Sequence, residues 1–128
     1  MDFRTVAFNN FYEMYISNTV DYNEINIDSD KLSAEQNIRY KQLISYTSEN
    51  LEEIILYIEQ NTINWKFERI NSVEKVCLIL GVAELSMKLT KMQIVIAEWV
   101  KLADKHSSSD GAKFVNGVLD KINSDLSI

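Results

Sequence analysis

The sequence is poor in the residues that break helices or cross-link chains. Its 128 residues include no proline, three glycines and one cysteine. Because proline terminates helices and glycine supplies tight turns, their scarcity makes sharp chain reversals rare and long helices favourable. A lone cysteine, Cys77, excludes an intramolecular disulfide and a cysteine-rich zinc site. We therefore predict an all-α fold.

Apolar residues recur at three-to-four spacing along most of the chain, as in amphipathic helices. With 46% hydrophobic residues the chain can fill one core, so we predict a compact single domain, residues 1–128, of about seven helices. We expect a first helix that ends near Ser17, followed by an acidic surface loop, Asn18–Asp30. A second helix is capped by Ser33 and runs to Tyr46, and a third is capped by Thr47 or Ser48 and stops around Asn61–Asn64. A short segment, Trp65–Ile70, then precedes three longer helices: one that is capped by Ser72 and runs to Met87, one that is capped by Thr90, and a last one that runs to Leu126.

Histidine is equally scarce, since His106 is the only one. It falls at a predicted helix C-terminus, where a cationic side chain is favoured by the helix dipole, and Cys77 lies on an apolar helical face typical of core. Glu84 and Glu98 each stand among apolar neighbours, so they could form a metal or acid–base pair, although buried carboxylates bonded to Lys, Arg or backbone are the commoner case. No phosphate-binding loop or nucleophile motif accompanies them, and we predict no enzyme, metal or cofactor.

Charge is unevenly distributed around a net value of −6. Residues 1–64 hold eleven acids and four bases, whereas residues 65–128 hold eight acids and nine bases. Any contact with phosphate is therefore expected in the second half, joined by Arg4. The start of the chain has no basic stretch before an apolar run, and no window approaches a membrane span. We expect a soluble, cytoplasmic protein that contacts no membrane.

Three stretches of the second half carry a specific resemblance. They are Asn64-Trp65 with Arg69-Ile70, then "VEKVCLILGVAEL" from Val73, and "IAEWVKLADKHSSSDGAKFVNGVLDKI" from Ile96. Together they resemble the NusB family of bacterial transcription antitermination factors, most closely in the closing "KFVNGVLDKI". The resemblance implies two packed three-helix bundles, with the last helix crossing the core, Gly117 allowing a close helix approach and Asn116 bonded inside.

The resemblance also implies a function and its residues. NusB-like proteins bind boxA-type single-stranded RNA together with NusE, a small-subunit ribosomal protein, within a transcription complex that makes ribosomal RNA. By position, Lys113 and Phe114, with Arg4, are expected to contact RNA. Glu84, Asp110 and Phe114 are expected to contact the protein partner.

Several residues depart from the family pattern. The arginine-rich segment that usually opens the chain is missing, and Arg4 stands alone beside Asp2. Ile79 replaces an arginine, Ala97 an asparagine, and His106 an aromatic residue. Since RNA affinity depends on the number of phosphates neutralised, an alternative is a protein–protein interaction module, such as a homodimer, that has lost RNA binding.

Overall fold

The computed structural model describes residues 2–17, 31–62 and 66–126. The described chain forms six α-helices and one short 3₁₀ helix, and these are α1 (Phe3–Ser17), α2 (Ala34–Glu49), α3 (Leu51–Gln60), the 3₁₀ helix (Phe67–Arg69), α4 (Ser72–Met87), α5 (Met92–His106) and α6 (Ser109–Leu126). The predicted all-α class is confirmed, and the expected short seventh segment is the 3₁₀ helix. The predicted loop Asn18–Asp30 and the residues 63–65 lie outside the described residues.

Helix α4 is the centre around which the other helices pack. Its residues 75–85 are all buried, which explains why the segment is apolar on every side rather than along one stripe. Helices α4, α5 and α6 contact one another pairwise, while α1, α2 and α3 each pack against α4. Helix α4 thus belongs to the group α4–α6 and also packs against each of the three helices α1–α3.

The aromatic side chains of α1 face this core. Phe3, Phe8 and Phe11 are at most 3% exposed, so these three rings pack in the core and are not available to stack on bases. The side chain of Asp2 accepts a hydrogen bond from the Thr5 backbone N–H at 2.9 Å, so the first turn of α1 is capped. The start of α1 is therefore fixed both by packing and by a cap.

Helix boundaries follow the predictions, but most caps are shifted by one or more residues. Ser33 caps α2 as predicted, its hydroxyl accepting from the Gln36 backbone N–H at 3.2 Å. The Gln36 side chain does not return to Ser33; it accepts from the Phe3 backbone N–H at 2.8 Å. It thereby links α2 to the start of α1.

Three predicted caps are wrong. Thr47 and Ser48 lie within α2, where their hydroxyls donate to the carbonyls of Leu43 and Ser45, and α3 begins after Asn50. Helix α4 is capped by Asn71 rather than Ser72. The residue that precedes α5 is Lys91 rather than Thr90. In the first two cases a bond within the preceding helix or a neighbouring polar side chain takes the place of the predicted cap. In α5 the cap makes no side-chain hydrogen bond.

The expected interior role of Asn116 and Gly117 is also wrong. Both residues are exposed on α6, and a Cβ added at Gly117 would meet nothing within 4 Å. The close helix approach occurs at Gly81 instead, where an added Cβ would lie 3.0 Å from both methyl groups of Leu119. α6 does enter the core, through its opposite face, which carries Val115, Val118, Leu119 and Ile122.

Candidate nucleic-acid interface

Two predicted site residues, Arg4 and Glu84, meet inside the protein. The Arg4 Nε donates to Glu84 Oε1 at 2.8 Å, and its Nη2 donates to Glu84 Oε2 at 2.7 Å. The residues are 6% and 3% exposed. This fork-to-fork geometry is the strongest arrangement of an arginine–carboxylate pair, and it ties the first turn of α1 to α4.

Further groups close around this pair. Trp99 Nε1 on α5 donates to Glu84 Oε1 at 2.9 Å, and Arg39 Nη2 on α2 lies 3.9 Å from Glu84 Oε2. Both guanidinium groups lie over the ring of Phe3, with Arg4 Cζ 4.6 Å and Arg39 Cζ 4.3 Å from the ring centroid. We call these five residues the Glu84 cluster, and it joins four helices.

The electrostatics of the cluster favour a charged Arg4. Burial lowers the pKa of Arg4, but the hydrogen bond and the charge of Glu84 raise it more, so the net pKa lies above its usual value. Both charges are satisfied inside the fold. Consequently neither Arg4 nor Glu84 presents its charge to solvent in this structure.

The remaining predicted residues, Asp110, Lys113 and Phe114, share the first turns of α6. Asp110 and Lys113 are exposed and Phe114 is partly buried. Asp110 and Phe114 line a pocket of about 320 Å³ between the N-terminal ends of α4 and α6. The structure therefore brings three predicted residues together on one surface and places the other two in the interior.

The pocket is built by the junction of two helix starts. Glu74 in the first turn of α4 accepts from Ser107 Oγ at 2.8 Å, and Ser108 Oγ accepts from the Gly111 backbone N–H at 2.9 Å. A Cβ on Gly111 would lie 2.6 Å from Glu74 Oε2, so glycine permits this close approach. Ser108 thus caps the start of α6.

Arg69 and Glu74 complete the pocket wall, and sequence reasoning did not select either as a site residue. Arg69 is exposed at the end of the 3₁₀ helix, where it supplies the cation of the pocket. The sequence signal that could have identified Arg69 is its place in the Arg69-Ile70 motif, just before the start of the buried helix α4. An aromatic edge, two carboxylates and a guanidinium suit polar, planar ligands such as nucleobases.

The other candidate residues have structural surroundings. Glu98 is partly exposed and lies 3.7 Å from Lys101, so it does not pair with Glu84. Cys77 is fully buried, and burial raises the pKa of its thiol to about 12. His106 ends α5 as predicted and stacks on Phe8 with ring centroids 4.9 Å apart. In the part of the chain that the structure describes, no three His, Cys, Asp or Glu residues form a group suited to a metal ion.

Comparisons with known proteins identify relatives along nearly the whole chain. The model of the NusB family matches residues 1–124. The chain is 32% identical over 111 residues to the transcription antitermination protein NusB of Sulfurovum sp. strain NBC37-1, covering 87% of this chain and 85% of that protein.

Solved structures agree with the sequence relatives. A crystal structure of the antitermination factors NusB and NusE in complex with dsRNA matches with a TM-score of 0.85 and 27% identity, covering 96% of this chain and 94% of that one. The NusB structure of T. maritima shares the fold with a TM-score of 0.89 at 22% identity, covering 98% and 94% of the two chains. Within the described ranges, no helix is both long enough and apolar enough to cross a membrane.

Proposed function

The chain belongs to the NusB family, and from this membership we propose that it is a transcription antitermination factor. In this role it binds boxA-type single-stranded RNA together with a NusE-type ribosomal protein. The family match over residues 1–124 carries the proposal, because it takes in all of α1–α5 and most of α6. Since RNA and ribosomal proteins meet in the bacterial cytoplasm, we place its action there, as a binding protein rather than an enzyme.

We assign the RNA contact to the N-terminal part of α6. Lys113 is exposed and can contact a phosphate, and the partly exposed ring of Phe114 offers an apolar surface to an unstacked base. Asp110 and the edge of Phe114 are assigned to the protein partner, because they lie together at the rim of the same pocket. RNA and partner would then meet side by side at one end of the helix.

Arg4 and Glu84 take a different part in this proposal. A surface contact by either residue would require opening an ion pair with two hydrogen bonds of 2.7 and 2.8 Å. Leaving one buried charge without its partner costs several kcal/mol. We therefore assign both residues to holding α1 on the fold, which supports the RNA-binding surface without touching RNA.

The test is binding of a fluorescent boxA-like RNA to the purified protein, with and without NusE, across a salt titration. For the wild type we expect NusE-enhanced binding that falls steeply with salt, because phosphate contacts release counterions. Lys113→Ala should weaken binding and reduce the log–log salt slope by about 0.7, the value for one phosphate contact on a single strand. Lys41→Ala removes an equally exposed charge from α2 and is the matched control.

The results separate the two functions that the sequence allowed. Equal effects of Lys113→Ala and Lys41→Ala would mean that only net charge matters, and the assignment to α6 would be wrong. Binding to NusE with no RNA contribution at low salt would refute the RNA function and favour the interaction module instead. A homodimer interface would show as a concentration-dependent mass by light scattering.

A further inference from the structure

Gly117 is an unexplained residue in the middle of α6. A glycine inside a helix lowers stability more than any other residue except proline, because it loses the most backbone freedom on folding. The other two glycines have a packing reason, since a Cβ would lie 3.0 Å from Leu119 at Gly81 and 2.6 Å from Glu74 at Gly111. A Cβ at Gly117 would meet nothing within 4 Å. Nothing in the described fold requires this glycine.

Two lysines flank Gly117 along the surface of α6. Lys113 and Lys121 precede and follow it by four residues, and both are exposed. At 1.5 Å of rise per residue their Cα atoms are about 12 Å apart along the helix, with Gly117 midway between them on the same face. The glycine therefore forms a shallow notch between two cations.

The acids nearby do not close this notch. Asp110 lies two turns before Gly117, in the first turn of α6, where a carboxylate is stabilised by the helix dipole. Asp120 follows Gly117 by three residues, which places it about 60° around the helix, on the side of Lys113 and away from Lys121 and Phe114, so that it borders the notch on one side only. The stripe from Phe114 through Gly117 to Lys121 is thus free of carboxylates.

We propose that the notch at Gly117 receives the sugar–phosphate backbone of single-stranded RNA, with Lys113 and Lys121 on phosphates at either side. A position without a Cβ lets another backbone approach a helix closely, and two lysines flanking it match a polyanion rather than an apolar protein surface. The inference deepens the proposed function, on which it rests, by extending the RNA path from the pocket rim along α6. It adds Gly117 and Lys121 to the residues that bind RNA.

The experiment compares Gly117→Ala with Asn116→Ala in the full-length protein. Both changes replace a poor helix former by alanine at neighbouring exposed positions, so both should raise Tm, by about 2–5 °C. Only Gly117→Ala adds a methyl group to the notch, and we expect it to weaken boxA-like RNA binding by about tenfold, equivalent to the loss of one good contact. Gly117→Leu should weaken binding further, while Asn116→Ala should bind as the wild type does.

A second readout tests the lysine. Lys121→Ala should reduce the salt slope by about 0.7, as one lost phosphate contact does. If Gly117→Ala raises Tm and binds RNA like the wild type, the notch proposal is overturned while the proposed function stands. If the wild type binds no RNA at low salt with NusE present, both are overturned. Equal weakening by Asn116→Ala would also refute the notch, because the effect would then follow helix stability.

Discussion

Truncating Arg4 to alanine should destabilise the fold far more than its place in the first turn of a terminal helix suggests. The substitution leaves the Glu84 carboxylate with a side-chain exposure of 4% and one remaining donor, Trp99 Nε1, at 2.9 Å. Arg39 lies 3.9 Å away, beyond hydrogen-bond distance. Removing one partner of a buried ion pair costs about 3–5 kcal/mol, out of a total stability of about 5–15 kcal/mol for a domain.

Urea unfolding followed by helical circular dichroism measures this loss. The internal control is Lys101→Ala, because Lys101 has a side-chain exposure of 75% and lies 3.7 Å from Glu98. Breaking that exposed pair should change the free energy of unfolding by no more than about 0.5 kcal/mol. The double variant Arg4→Met with Glu84→Gln removes both buried charges, keeps an oxygen that accepts from the buried Trp99 Nε1, and should recover much of the loss because no buried charge is then left without its partner.

The salt dependence of the stability loss is a second test of whether the Arg4–Glu84 pair is buried. A buried pair is weakly screened, so the cost of Arg4→Ala should be nearly the same at low and high salt. A loss below about 1 kcal/mol, typical of exposed pairs, would refute the reasoning. So would a double variant as unstable as the sum of the two single ones, because the two residues would then not be coupled.

Two further outcomes follow from packing. Gly81→Ala should lower the free energy of unfolding by about 1 kcal/mol or more, because overpacking against the buried Leu119 exceeds the gain in helix propensity; a rise in the same urea assay, as expected for Gly117→Ala, would show that Leu119 can move aside. The thiol of Cys77, with a pKa raised to about 12 by burial, should resist a disulfide reagent at pH 8 until urea unfolds the protein, and rapid stoichiometric labelling of the native state would contradict its burial.

The sequence predicts the helices well because apolar spacing is a local property. The apolar face around Cys77 predicts α4, although the structure buries residues 75–85 on every side rather than on that face alone, and the capping hydroxyl of Ser33 is found where its spacing places it. Caps such as Asn71 against Ser72 are harder to predict, because both residue types form good caps and tertiary geometry selects one. An error of one residue is therefore expected even where the helix is right.

At the candidate site, prediction from the sequence is limited by contacts between residues that are far apart along the chain. The carboxylate that binds Arg4 is eighty residues away along the chain, so an N-terminal arginine looks like a surface cation until the fold is known. Gly117 illustrates the reverse case, since the family resemblance implied an interior position although its own side of α6 faces solvent. In both cases the residue type indicated a special role, but the sequence did not show whether the residue faces the core or the solvent.

The charge arrangement leaves few cations for the RNA contact that we propose. The chain has thirteen basic residues against nineteen acidic ones. Arg4 is bound to Glu84 inside the fold, and the Lys75 ammonium lies 4.7 Å from the centre of the Phe67 ring in a buried position.

Arg69, in the wall of the pocket that Phe114 also lines, would add a third cation to Lys113 and Lys121 at the proposed RNA surface. Three phosphate contacts on a single strand correspond to a salt slope of about −2, well short of the 6–10 contacts of tightly binding proteins. With a net charge of −6 opposing the polyanion, affinity of the chain alone must be low at physiological salt. Contacts that a NusE-type partner adds beside Asp110 and Phe114 would supply the missing binding energy, so the two ligands should bind cooperatively.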